Sequence, residues 1–172
     1  MDNIAKHHAS LIARYVSSND APAIVRSAQK LAYLVLTCTD PSVLEIHKQV
    51  VIKQVLWMIS SADGKYSTRF RSAEVVNLAT NDNASLVGIN HEHVFPIRAV
   101  RAEILRRRDE LVDSPESLNQ LLSETVGCVV THDEHRRLSN LHIGWERYEG
   151  VEVLDMSEVP PVVRRSHVVA QT

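Results

Sequence analysis

The chain changes character at Gly64, and that change limits the folds open to it. Before Gly64, apolar residues recur at helical spacing; after it, short β-rich runs alternate with helical ones. "NIAKHHASLIARYVSS" places Ile4, Leu11, Ile12 and Tyr15 on roughly one helix face. "APAIVRSAQKLAYLVLTC" predicts a second helix, with Asp20 as N-cap and Pro22 in the first turn. "TDPSVLEIHKQVVIKQVLWMISSADG" predicts a third, capped by Asp40, opened by Pro41 and stopped by Gly64. Its run from Val50 to Ile59 is apolar on most sides, as expected of a central core helix. Short connections between three helices predict a small bundle over residues 1–64.

Beyond Gly64, "KYSTRFRSAEVVNLATNDNA" mixes basic and aromatic residues, then predicts a short helix and an Asn-Asp-Asn turn. "SLVGINHEHVF" reads as a strand. "IRAVRAEILRRRDELV" reads as a helix, and Ser114–Pro115 opens another, "PESLNQLLSETV". "GCVVT" is a second β-rich run. "HDEHRRLSNL" follows as a helix with Thr131 as N-cap, and "VEVLDM" as a last strand. The tail "PPVVRRSHVVAQT" reads as irregular. The expected class is α+β: a helical part over 1–64 and a mixed part over 65–172.

A chain of 172 residues suits one domain, or one domain with a helical extension. A net charge of −2, with nine histidines counted neutral, excludes a strongly basic domain. Nucleic-acid binding would therefore need a local basic patch. Cys38 and Cys128 lie far apart without a CxxC pair, which argues against a disulfide framework or a cysteine zinc site. The first residues lack the basic-then-apolar order of a secretory signal, and no apolar run approaches a membrane span. A cytoplasmic protein without a membrane partner is expected. Five glycines form no phosphate loop, and no GxSxG elbow occurs.

Two histidine clusters carry the functional expectation. "INHEHVFPI" puts His91, Glu92 and His93 in an apolar strand-like run, where titratable groups are costly unless paired. "CVVTHDEHRRL" puts His132 and His135 three apart, on one helix face. Imidazoles with a carboxylate suit a divalent metal, and histidine is the usual general base near neutral pH. Strand alternation places His91 and His93 on one face and Glu92 on the other. A site using both Glu92 and His93 then needs a bulge or a strand end, which Pro96 could supply. The plainer alternatives are a solvated strand end and a polar helix face.

"HEHVFP" resembles the opening of the HNH, or ββα-metal, nuclease motif, and "VVTHDEHRRL" resembles its closing strand and helix. The resemblance covers about ten residues at each end and none of the N-terminal helices. It implies a C-terminal ββα-metal part containing a helical insertion. It implies that Glu92 and His135 ligate a divalent metal, Mg²⁺ or Mn²⁺ ahead of Zn²⁺, and that His93 is the general base. His132 would be a further ligand and His91 an auxiliary residue. Family members place an asparagine between the two ends; Asn119 is the sole asparagine between Pro96 and Val126. The implied function is metal-dependent hydrolysis of nucleic-acid phosphodiesters, DNA ahead of RNA, in a defence or mobile-element setting. The alternative is a non-catalytic binding or inhibitor protein with such a fold and a protein partner.

Basic residues supply candidate nucleic-acid contacts. Lys65, Arg69 and Arg71 interleave with Tyr66 and Phe70, a mixture that can contact nucleic acid. Arg98 lies on the inserted helix, whose "RRR" at 106–108 reads equally as a solvated face paired with Glu103, Asp109 and Glu110. Arg136 and Arg137 follow His135. Trp145 and Tyr148 of "GWERYEG" are expected in the core, and His7 and His8 on a solvated helix turn.

Overall fold

A computed structural model describes residues 13–80 and 88–164. Of the helix expected in residues 3–18, residues 3–12 with His7 and His8 lie outside the described residues, as does the Asn-Asp-Asn turn; residues 15–18 are not helical. The chain forms two compact units. Of the described residues, one takes 13–16, 66–80, 88–94 and 127–164, the other 17–65 and 95–126.

The second unit is helical. It contains α1 (Ala21–Thr37), α2 (Glu45–Ser60), α4 (Ile97–Arg106), α5 (Arg108–Asp113) and α6 (Pro115–Ser123). Ala28, Ala32 and Leu36 recur at four-residue spacing on α1 and are all buried. The two alanines leave room for Ile52, Val55 and Leu56 of α2 in the same core. Ile104, Leu111, Leu118 and Leu122 of the insertion complete that core. The insertion thus shares its buried face with the helices before Gly64. The last carbonyls of α1 also draw on this packing. Lys48 Nζ donates to the Cys38 carbonyl at 2.7 Å. Arg108 donates to the Leu36 carbonyl from Nε at 2.9 Å and Nη2 at 2.7 Å. Both cations stand at the negative end of α1, where carbonyls lack intrahelical partners.

Several local expectations shift. Asp20 occupies the α1 N-cap, but its side chain caps nothing. Asp40 does not cap α2, which starts only at Glu45; its Oδ1 instead accepts from the Ser42 amide at 2.8 Å in a turn. That local bond competes with helix formation, as aspartate commonly does. Helix α2 ends at Ser60, before Gly64. Val50, expected in the core, is 59% exposed. The single helix expected after Pro96 is two, joined at Arg107.

The first unit holds a five-stranded mixed sheet with α3 (Ala73–Thr80) and α7 (His132–Arg137). Its strands are β1 (Phe70–Ser72), β2 (Ile89–His93), β3 (Gly127–Thr131), β4 (Val153–Asp155) and β5 (Val162–Val163), in the order β2-β3-β1-β4-β5. Strands β1 and β3 are parallel; the other pairs are antiparallel. β1 and β5 fall in the basic and aromatic segment after Gly64 and in the tail read as irregular, where the sequence predicts no strand. Val75 of α3 packs with Ile89 and Val129 on one sheet face. Trp145, in the 3-10 turn Gly144–Tyr148, packs edge-on to Phe70, with ring centres 4.9 Å apart. Mixed α+β is thus the class. Among the described residues, no helix is long and apolar enough to cross a membrane.

Candidate functional site

Strand β2 pairs with β3 in unbroken register, His91 opposite Val129, Glu92 opposite Cys128 and His93 opposite Gly127. With no bulge, alternation holds, and Glu92 projects from the face opposite His91 and His93. Thr131, opposite Ile89, then turns the chain into α7. A full capping box fixes that turn: Thr131 Oγ1 accepts from the Glu134 amide at 3.1 Å, and Glu134 Oε2 accepts from the Thr131 amide at 2.9 Å. Glu134 Oε2 also accepts from the Ser72 hydroxyl at 2.5 Å, which pins α7 to β1.

From this start α7 folds back along β2. The His132 amide donates to the Gly88 carbonyl at 2.6 Å, just before β2 begins. Gly88 has φ +102°, a conformation that favours glycine. One helical turn later His135 reaches the other end of the strand, where its Nδ1 lies 2.8 Å from Glu92 Oε1. The helix thus brings His135, and not His132, to Glu92. Among the described residues, no three or more His, Cys, Asp or Glu side chains gather as a metal-holding group.

Arg147 closes the site from the 3-10 turn. Its guanidinium is buried. Nη1 donates to the His93 carbonyl at 2.7 Å and Nε to the Ser139 carbonyl at 3.1 Å, while Nη2 lies 3.7 Å from Glu92 Oε2. The buried Tyr148 hydroxyl lies beside the Cys128 thiol, with no hydrogen-bonding nitrogen or oxygen in reach among the described residues. Burial is the first cause that pushes both groups upward in pKa, so both stay protonated.

On the other face His91 and His93 are both buried, their rings edge to face with centres 5.1 Å apart. Burial, with His91 and Arg147 adding to it, pulls the His93 imidazole down to about 3. The ring is therefore neutral at physiological pH and holds a lone pair, but its protonated form is costly.

The basic candidates scatter. Arg71 is fully buried and donates from Nε to the Thr68 carbonyl at 3.0 Å, so its guanidinium is not at the surface; burial lowers it to about 10. Arg69 is exposed but held by both oxygens of Asp155, at 2.8 and 2.5 Å. Arg136 pairs with Asp133 on α7. Arg137 is exposed on the same helix. Lys65, Arg98 and Asn119 are exposed residues of the helical unit. Arg106 pairs with Glu103, and Arg107 with Glu110, as the solvated-face reading of that run expects.

Three contributors escaped the sequence reading: Arg147, Ser72 and the capping role of Glu134. The last had a local signal, Thr131-x-x-Glu134, which is the capping-box pattern. Arg147 and Ser72 had none, because the partners that tie them to the site, His93 and Glu134, lie 54 and 62 residues away. Comparison with protein-family models, curated proteins and solved structures finds no match for this chain.

Proposed function

We propose that the chain is a divalent-metal-dependent hydrolase of nucleic-acid phosphodiesters, with an HNH-like site formed by β2, β3 and α7. The observation that carries the reading is the approach of Glu92 and His135 to 2.8 Å. That separation is close to the edge of about 3 Å between neighbouring ligands of an octahedral ion with bonds of about 2.1 Å. One carboxylate and one imidazole suit Mg²⁺ or Mn²⁺, which keep several waters. They fall short of the three or four protein ligands usual for Zn²⁺. The antiparallel pairing of β2 with β3, across a three-helix insertion, and the helix α7 after β3 also support the resemblance of "HEHVFP" and "VVTHDEHRRL" to that family.

Glu92 and His135 would hold the ion, which would supply charge stabilisation at phosphate oxygens. In hydrolysis a water oxygen bonds to phosphorus, a P–O bond breaks, and a proton leaves the water. His93 is the base that the family resemblance implies for that proton; it projects from the face of β2 opposite Glu92, so acting there requires the end of the strand to rearrange when substrate binds. Its neutral ring has the required lone pair. Its burial means that substrate binding must open a path for water. Arg136 and Arg137, directly after His135, would face the phosphate backbone.

A second reading, a non-catalytic binding protein with this fold, is favoured by the low basicity of His93 and the cation of Arg147 beside Glu92. Plasmid cleavage with Mg²⁺ or Mn²⁺ decides between the two. Wild type should nick or cut DNA, and His93→Ala should lose at least a hundredfold in rate. Supercoiled, linear and single-stranded DNA and RNA all left intact with every divalent metal would end the hydrolase reading.

A further inference from the structure

Glu92 lies between two cationic or hydrogen-bonding side chains that approach different oxygens. Oε1 faces His135 Nδ1 at 2.8 Å, and Oε2 faces Arg147 Nη2 at 3.7 Å. The Arg147 side chain is only 8% exposed, so this attraction is weakly screened by solvent. The same guanidinium grips two backbone carbonyls. One belongs to His93, at the end of β2, and the other to Ser139, just past α7. The Ser139 amide in turn donates to the Arg147 carbonyl at 3.1 Å. Arg147 therefore ties the strand carrying Glu92 to the segment that follows the helix carrying His135. A planar fork makes these contacts from fixed directions; a lysine ammonium could not reproduce them.

We infer that Arg147 is the positioning residue of this site: it holds Oε2 of Glu92 and the ends of β2 and α7, and so leaves Oε1 directed at His135. The inference rests on the proposed metal site for its function, but the orientation itself does not need the ion. Two consequences follow. In the metal-free protein, His135 Nδ1 carries the proton and donates to Oε1. In the metal-bound protein, Glu92 contributes one oxygen, because the other is held by Arg147.

The test uses the full chain and two readouts. Long-range ¹H–¹⁵N spectra report which His135 nitrogen carries the proton, without metal. Loss of the free Mn²⁺ signal in electron paramagnetic resonance reports metal affinity. Arg147→Lys keeps the charge and loses the fork. It should move His135 from the Nδ1–H form to a tautomer mixture and weaken Mn²⁺ binding at least tenfold, while Arg106→Lys, at an exposed pair of the helical unit, changes neither. Wild-type spectra and affinity in Arg147→Lys would overturn the inference and leave the metal reading standing if Glu92→Gln still abolishes Mn²⁺ binding. Failure of wild type to bind Mn²⁺ would instead sink the metal reading, and the tautomer shift alone would then decide the role of Arg147. If Arg147→Lys does not fold, Arg147→Gln is read in the same two ways. If neither folds, Arg147 is a structural anchor only and the inference falls.

Discussion

His135 Nδ1 stands 2.8 Å from Glu92 Oε1, although 42 residues lie between them in the chain. His135 is 44% exposed at its side chain and Glu92 18%, so the pair sits at the surface edge of the sheet. An ion pair or hydrogen bond at such exposure adds little stability. His135→Ala should therefore cost no more than about 1 kcal/mol, and Glu92→Gln, which also takes the carboxylate from the buried Arg147, about 1–2 kcal/mol. Both should nevertheless abolish Mn²⁺ binding in a titration of the folded protein. Mn²⁺ binding retained in both variants would mean that the ion sits elsewhere.

The cap that starts α7 should matter more to stability than the pair it positions. Thr131→Ala removes one capping bond and should cost about 1 kcal/mol. Glu134→Ala strips the acceptor from the Ser72 hydroxyl and the Thr131 amide in a buried setting, and should cost roughly 2–4 kcal/mol. Urea denaturation of both variants checks the order. Equal losses would show that the Ser72 tie between β1 and α7 contributes nothing.

In the helical unit, two neighbouring arginines should behave differently. Arg108 donates twice to the Leu36 carbonyl, and Arg108→Ala should cost about 1–2 kcal/mol. Arg106 forms an exposed pair with Glu103 on its own helix, and Arg106→Ala should stay within about 0.5 kcal/mol. Thermal unfolding of the two variants separates them.

The acid limb of stability should carry the signature of Asp155. The bidentate Arg69 guanidinium, helped by the Ser157 hydroxyl and amide, lowers its carboxyl from 3.8 to about 2. The unfolded chain therefore takes up this proton first as the pH falls. The contribution is full above about pH 4 and is lost as the pH drops towards about 2. Asp155→Asn should flatten the fall in melting temperature across that window and leave the slope above pH 5 unchanged. An unchanged acid slope would mean that the Arg69 pair does not hold in solution.

Local chemistry was legible in the sequence. Thr131 as cap, Ser114–Pro115 as helix start, "INHEH" and "GCVVT" as strands, and the three-residue spacing of His132 and His135 depend on neighbours within a few residues. Tertiary competition moved what local signals could not settle. Asp40 found Ser42 before it found a helix, and Val50 lay on the side of α2 away from the core.

The sequence by itself determined that Glu92 and His93 take opposite faces, because side chains alternate along any unbroken strand. It also determined that His132 and His135 share a helix face, because a helical turn spans 3.6 residues. Only the tertiary structure decided which histidine meets Glu92. Antiparallel pairing sets Thr131 beside Ile89, so α7 must travel one turn back along β2 before a side chain reaches position 92. The partners of Arg147 were likewise decided only in three dimensions, since a buried guanidinium takes whatever carbonyls the packed chain brings to it.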